Sequence, residues 1–169
     1  MTGKEGIIAS VPFLNYIEKA PAGNMLEAIH ANTQAFNRVL STVPAGKQQF
    51  AYAPGKWTLA ELLQHLIDAE RVFTYRALRM ARLDPTPLAG FDEEQWAAAA
   101  HKNKRPWNDL LAEFRAVRTA SEMLFASFTE DQLLFQGTSN DRPVNALALG
   151  FILAGHVQHH LAIITGKYL

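Results

Sequence analysis

Apolar residues recur at a spacing of three and four in four long segments of the chain. That spacing places them on one face of an α-helix, where they can form a core. The pattern predicts helices over about 24–41, 58–82, 106–128 and 143–165. Shorter helices are expected at 92–100 and after Thr129, with a loop at 137–142. Strand patterns are weak throughout, so the chain is expected to be all-α.

Local signals mark the ends of these helices. Asn24 is placed as the N-cap of the first helix, and Thr58 with Glu61 forms a T-x-x-E capping box before the second. Pro106 suits the first turn of the third helix, and Gly166 is the natural C-cap of the fourth. Four long helices most simply form a four-helix bundle, with a long crossover between the second and third.

Composition limits the possible partners. The 169 residues fit a single domain over 1–169, and sixteen basic residues balance sixteen acidic ones. Nucleic acid binding normally leaves a basic excess, so nucleic acid is not an expected partner. The longest apolar run, 146–155, is well short of the roughly 20 residues that span a bilayer, and no membrane association is expected. The absence of cysteine excludes disulfides and thiolate ligands, and a cytoplasmic protein is expected.

Three histidines suggest chemistry. His156 and His160 lie four apart in the fourth helix, so they share a face and can aim at one point. His65, in the apolar second helix, could supply a third imidazole from a facing element. Three neutral imidazoles with one position left open form a catalytic metal site of the zinc type. The competing interpretation is a set of ordinary core histidines bonded to neighbouring acceptors.

His159 leaves the ligand set open. It is three residues from His156, so that pair shares a face as well, and spacing does not choose between His159 and His160. His159 can instead line the edge of the pocket, support a ligand or lie at an interface. Glu61 also has two roles, since it can close the capping box or accept the second N–H of a metal-bound imidazole. The capping role is favoured.

Other charged residues of the second helix have a functional and an ordinary interpretation. Arg71 and Arg76 could hold an anionic substrate at a pocket mouth, although such residues more often form a solvated face with paired charges. Two metal-enzyme patterns are excluded. Residues 156–160 read H-V-Q-H-H and lack the glutamate of the zinc-protease motif H-E-x-x-H. The di-iron motif Glu-x-x-His occurs once, at Glu27, where two copies are needed.

Three segments resemble the DinB/YfiT-like superfamily. They are Y-A-P-G-K-W-T-L-A-E-L-L-Q-H-L at 52–66, G-F-D-E-E-Q-W at 90–96 and G-H-V-Q-H-H-L at 155–161. Their order and spacing are similar to those of the family over roughly residues 10–169. The resemblance implies a four-helix bundle, often dimeric, with a divalent metal held by three histidines. Matched to this chain, these are His65, His156 and His160, so the resemblance favours His160 over His159.

The resemblance also implies a class of reaction. Better understood relatives are thiol-dependent S-transferases and isomerases, and many members are described as metal-dependent hydrolases. The leading hypothesis is a transferase in which a divalent metal such as Zn²⁺ or Ni²⁺, bound by the three histidines, activates a low-molecular-weight thiol against a small electrophilic substrate. The second is a hydrolase that uses metal-bound hydroxide. The third is a non-catalytic metal-binding stress protein. Because the fourth helix is apolar nearly all round, a homodimer is also plausible.

Overall fold

A computed structural model describes residues 3–102 and 104–169 of the chain. The predicted domain also includes Met1, Thr2 and Asn103, which lie outside the described residues. The helices of the described part are α1 (Val11–Lys19), α2 (Met25–Ser41), α3 (Leu59–Ala81), α4 (Glu93–Ala100), α5 (Trp107–Ala126), α6 (Glu130–Leu134) and α7 (Ala146–Ile163). A short 3-10 turn, Ala45–Lys47, follows α2, and a π-helical turn, Ile164–Tyr168, continues α7. The strands β1 (Gln136–Ser139) and β2 (Arg142–Asn145) pair as an antiparallel hairpin before α7.

The four long helices α2, α3, α5 and α7 form the bundle that the sequence predicts. Helix α7 packs against α2 and α3, and α5 packs against α3 and α2. Helices α3 and α5 run parallel, because Gln64 bonds Arg105 near their first turns and Glu70 bonds Ser121 further along both. A chain that joins parallel neighbours must return along the bundle between them. Residues 82–106 make that return, which confirms the predicted long crossover.

The N-caps predicted for α2 and α3 are in place. Glu61 Oε2 accepts the backbone N–H of Thr58 at 2.6 Å, and Thr58 Oγ1 accepts the backbone N–H of Glu61 at 3.2 Å. These two bonds complete the capping box of α3. At the start of α2, Asn24 Oδ1 accepts the backbone N–H of Glu27 at 3.2 Å. The predicted beginnings of α2 and α3 are therefore confirmed. The capping box also fixes the first turn of α3, which carries Glu61.

The start of the last helix differs from the prediction. Pro143 does not begin it, because residues 137–142 are mostly paired strand and turn instead of a loop. Asn140 and Asp141, with φ of 51° and 57°, form the tight turn between the strands. Asn145 then caps α7, its Oδ1 accepting the backbone N–H of Ala148 at 2.9 Å. The hairpin ends the connection from α5 and sets where α7 enters the core.

Two further points of local structure differ from the sequence patterns. Helix α1 was not among the predicted helices, and it has Pro12 in its first turn, where a proline leaves the helix intact. Gly166 is not a C-cap, since it lies inside the π-helical turn that extends α7 to Tyr168. That turn places the Tyr168 ring in the core, where it is 1% exposed.

Helix α7 forms the centre of the core. By length and composition the segment Ala146–Tyr168 could cross a membrane, yet 78% of its most apolar window is buried inside the fold. Helices α1, α2 and α3 cover it on three sides. The backbones of α1 and α7 come close at Gly155, where a side chain would meet the backbone of Tyr16. Because the chain itself buries this apolar surface, α7 gives no argument for a second subunit.

Candidate metal centre

Three imidazoles meet where α3 faces α7. The Nε2 atoms of His65 and His160 each lie 3.1 Å from Nε2 of His156. The three nitrogens all lie within 4.8 Å of one another. Two zinc–nitrogen bonds of about 2.0–2.1 Å at a tetrahedral angle separate their nitrogens by about 3.3 Å. The spacing of this cluster, named here the histidine triad, therefore suits one small cation.

The helix geometry explains the convergence. Helices α3 and α7 run antiparallel, so residues late in α7 lie opposite residues early in α3. His156 and His160 are one turn apart on the face of α7 that His65 approaches from α3. The four-residue spacing brings His156 and His160 together, and the pairing of α3 with α7 adds His65.

Burial keeps these rings neutral. His156 is 6% exposed, and the other two are partly buried. Burial lowers the pKa of His65 to about 4 and that of His160, which the neighbouring imidazoles lower further, to about 3. Burial, followed by His160 and His65, lowers the pKa of His156 well below its ordinary value. At neutral pH all three therefore carry a lone pair, as metal ligands must.

Hydrogen bonding alone does not account for the triad. Three nitrogens of the same kind face one another, and Nδ1 of His160 is buried with no hydrogen-bond partner in the part of the chain described. A buried polar group without a partner is destabilising by about 1–3 kcal/mol in proteins. A core histidine normally bonds to a carbonyl or carboxylate, and these rings point at one another. The donor set fits a divalent cation better than it fits a polar core.

Aromatic rings surround the triad. The Trp57 ring lies 4.8 Å from that of His65, measured between centroids. Tyr16 and Phe73 meet the His156 ring edge-on at 5.4 and 5.6 Å. These contacts fix the orientation of two of the imidazoles and limit the access of water to them.

His159 lies outside the triad. Its Nδ1 is 3.3 Å from Nζ of Lys19, and its ring contacts Tyr16 at 5.8 Å. Burial, followed by the charge of Lys19, lowers its pKa. The structure thus brings His160, and not His159, to the point that His65 and His156 share. His159 instead joins α7 to α1 beside the triad.

Glu61 is held away from the imidazole of His65. One carboxylate oxygen closes the capping box with Thr58, and the other lies 3.3 Å from Nδ1 of His101. The capping role favoured by the sequence is confirmed. His101 therefore has a carboxylate partner that its sequence context did not reveal.

Two cavities adjoin the triad. The larger, of about 200 Å³, lies beside His160 and is lined by three aromatic rings, a lysine and a carboxylate: Tyr52, Lys56, Trp57, Glu94 and Tyr168. The smaller, of about 10 Å³, lies beside His65 and is lined by Asp68 and Glu93. Burial raises the pKa of the Asp68 carboxyl, which also accepts a bond of 2.9 Å from Gln64.

Sequence reasoning missed the three carboxylates beside the triad. Glu93 and Glu94 lie in the first turn of α4, which the crossover carries alongside α3. The D-E-E run at 92–94 could have indicated these two glutamates. Asp92 caps α4, its Oδ1 accepting the backbone N–H of Gln95 at 2.9 Å, and this cap fixes the first turn that carries Glu93 and Glu94. Asp68 lies three residues after His65, on the same face of α3, and that spacing alone could have identified it.

Comparison with known proteins places the chain in context. The family model described as the DinB superfamily matches residues 28–164. The solved structure entitled "YfiT from Bacillus subtilis is a probable metal-dependent hydrolase with an unusual four-helix bundle topology" is similar in fold, with a TM-score of 0.70. The two are 19% identical, over 94% of this chain and 86% of that chain. None of the curated proteins searched matches the chain.

Proposed function

Since this chain belongs to the DinB superfamily, we propose that it is a metal-dependent enzyme in which His65, His156 and His160 hold one divalent cation. The observation that carries the proposal is the convergence of the three Nε2 atoms. The description of YfiT as a probable metal-dependent hydrolase supports the same class. Three protein ligands leave a position open, as catalytic sites do and closed structural zinc sites do not.

Within this class we propose transfer of a low-molecular-weight thiol to an electrophilic small molecule. A divalent cation, when bound, supplies a positive charge that keeps a coordinating thiol deprotonated near neutral pH. The sulfur must come from outside, because the chain has no cysteine. The cavity beside His160 offers room for it, with Lys56 available to an anionic group of the thiol. The rings of Trp57 and Phe73 keep water from His65 and His156.

Hydrolysis is the second candidate, and one observation favours it. Glu94 lines the same cavity as His160, and Glu93 lines the small cavity beside His65. Either carboxylate can take a proton from an attacking water and so act as the general base that hydrolysis requires. The sequence had not identified such a group. An ester or amide substrate would enter from the same side.

Metal content tests the ligand set. Freshly purified protein is expected to contain about one divalent ion per chain, measured by elemental analysis. His156→Ala and His160→Ala should lose it, whereas His159→Ala should retain it. His30→Ala, on the exposed side of α2, is the matched control. Equal losses in the His159 and His160 variants would refute the assignment, and a metal-free wild type that does not take up Zn²⁺, Ni²⁺ or Mn²⁺ would refute the proposal.

A second experiment separates the reactions. Metal-loaded protein is supplied with glutathione and 1-chloro-2,4-dinitrobenzene, and in parallel with p-nitrophenyl acetate without thiol. Thiol transfer predicts turnover in the first assay that disappears in His156→Ala. Turnover in the second assay alone, reduced at least tenfold in Glu94→Gln, would establish hydrolysis instead.

The remaining expectations on partners and location are part of this proposal. A small molecule is the substrate, without nucleic acid or membrane. A cytoplasmic location suits a cysteine-free enzyme that uses a reduced thiol. A homodimer is compatible with the exposed apolar side chains of α1, such as Val11 and Leu14.

A further inference from the structure

A third and larger cavity lies along α3, beyond the small one beside His65. It measures about 620 Å³ and lies between the later turns of α3 and the part of the crossover that runs from Pro87 to Trp96. Three arginines of α3 line it together with aromatic rings from both sides. We call this cavity the arginine groove; its arginines are Arg71, Arg76 and Arg79.

The three arginines differ in their partners. Arg71 pairs with Glu113 at 2.6 Å, and Arg79 pairs with Asp84. Arg76 has no carboxylate within 4 Å among residues 3–102 and 104–169, although it is only 6% exposed. Its Nη2 donates to the carbonyl oxygen of Ala89 at 2.9 Å, and the other guanidinium nitrogens, which have no acceptor in that part of the chain, keep contact with solvent along the groove. A buried cation is normally paired, since burial of an unpaired charge is unfavourable.

The surroundings of Arg76 define what could pair with it. Its guanidinium carbon lies 5.6 Å from the centre of the Phe91 ring, which orients the planar group. Trp96 and Tyr75, 46% and 53% exposed, provide apolar ring surface on the same groove. The nearest acidic influence is Glu93, which lies beyond pairing distance. An anion with a flat apolar body would satisfy both the charge and the rings.

The arginine groove borders the small cavity beside His65. Asp68, Phe91 and Trp96 line both this groove and the small cavity beside His65. Arg76 lies eleven residues after His65 on the same helix, about 16 Å along its axis. Long side chains on a helix generally lean toward its N-terminus, and the Arg76 guanidinium lies over Phe91, which also lines the small cavity beside His65. A molecule held by its anionic end at Arg76 would extend toward His65.

We propose that the arginine groove binds the anionic end of the substrate, so that the electrophile is an aromatic or apolar molecule with a carboxylate or similar anion remote from its reacting atom. This proposal rests on the proposed function for the identity of the reacting centre, but the binding itself does not need a metal. The three tryptophans of the chain allow anion binding in the groove and metal binding at the triad to be measured separately. Trp96 lines the groove, Trp57 contacts His65, and Trp107 is buried at the start of α5.

The experiment follows the three indole N–H signals of nitrogen-15-labelled protein by NMR, each assigned by a Trp→Phe variant. The probes are 1-naphthylacetate and its neutral amide, 1-naphthylacetamide, added to metal-free protein. The acid is expected to move the Trp96 signal and to saturate at a concentration at least tenfold lower than the amide. The Trp107 signal should stay unmoved. Equal binding of the acid and the amide would overturn the proposal.

Variants test the residue. Arg76→Gln is expected to remove the preference for the acid, and Arg38→Gln, on the exposed side of α2, should keep it. If Arg76→Gln does not fold, Arg71→Gln, whose side chain is half exposed, should reduce the preference at least threefold. An unchanged preference in the arginine groove variants would overturn the proposal.

Zinc separates this proposal from the metal site. Addition of Zn²⁺ is expected to move the Trp57 signal, through the contact of that ring with His65. A Trp57 signal that ignores Zn²⁺, with an intact response of Trp96 to the acid, would refute the proposed function and leave the arginine groove standing. If the Trp57 signal responds to Zn²⁺ but the Trp96 signal does not respond to the acid, only the proposal for the arginine groove is refuted.

Discussion

The backbone carbonyl of Tyr16 occupies the space where a Cβ atom on Gly155 would stand. Helix α1 therefore lies against α7 with no side chain between the two backbones, one residue before His156. The Tyr16 ring then lies edge-on to the His156 ring at 5.4 Å. The glycine of the G-H-V-Q-H-H-L segment is thus a packing requirement of the triad.

Gly155→Ala should displace α1, because the obstacle is backbone and cannot rotate away. Overpacking of a core typically costs about 1–3 kcal/mol, and we expect the upper end or more. Zinc affinity should fall with it, as Tyr16 no longer supports His156. Chemical unfolding and zinc titration measure the two effects. Gly166→Ala, where an added Cβ meets open space, is the control, and an equal loss there would contradict this explanation.

Acidification should destabilise the metal-free protein. The folded-state pKa values of His65 and His160, about 4 and about 3, lie below the ordinary 6.5. Between these values the unfolded chain binds protons that the folded chain does not, so the free energy of unfolding falls as pH falls from about 6.5 toward 4. For His65 alone the contribution is on the order of 3 kcal/mol.

Matched variants isolate this contribution. Thermal unfolding between pH 4 and 8 should show a shallower pH dependence in His65→Gln than in the wild type. His30→Gln, on an exposed position, should follow the wild type. Identical slopes in all three proteins would show that His65 titrates in the fold as it does in the unfolded chain.

A buried ion pair joins the parallel helices α3 and α5. Glu70 and Arg118, with side chains 2% and 1% exposed, lie 2.7 Å apart, and Ser121 donates to Glu70 at 2.6 Å. Arg118→Met should cost about 3–5 kcal/mol, because it leaves a buried carboxylate without its cation. The double variant Glu70→Gln/Arg118→Met should recover part of this loss in urea unfolding. A double variant less stable than Arg118→Met would contradict the argument.

The last core tyrosine supports the aromatic wall of the triad. Tyr168 donates its hydroxyl to the carbonyl oxygen of Trp57 at 2.6 Å, and burial raises the pKa of Tyr168 to about 12, so it stays a donor. Tyr168→Phe should lower stability by about 0.5–1.5 kcal/mol and weaken zinc binding through the looser Trp57. Tyr52→Phe is the control, since that hydroxyl has no hydrogen-bond partner among the described residues. If Tyr168→Phe bound zinc as tightly as the wild type, the position of Trp57 would not contribute to zinc binding.

Local signals made the bundle and much of the site predictable. Helical spacing and capping residues act within a few positions, so Asn24, Thr58 and the four-residue step from His156 to His160 could be interpreted directly. The choice of His160 over His159 could not, because it depends on which side of α7 faces α3 and which faces α1. Only the resemblance to a known family favoured His160, the ring that the structure places beside His65 and His156.

The errors occurred where local signals were weak or long-range contacts decided. The hairpin strands are only four residues each, and Asn140-Asp141 lacks the glycine that usually marks such a turn. The sequence did not indicate that Glu70 is buried, because its partner Arg118 comes from α5, a distant segment of the chain. The carboxylates of α4 line the cavities beside the triad because the crossover returns along α3.

The crossover, residues 82–106, forms one wall of the cavities on the His65 side of the triad. It supplies Phe91, Glu93 and Trp96 to the two cavities near His65, while the three histidines belong to the bundle helices α3 and α7. Because the histidine triad lies on α3 and α7, substitutions in this segment are expected to alter which molecules bind while the three imidazoles keep their positions.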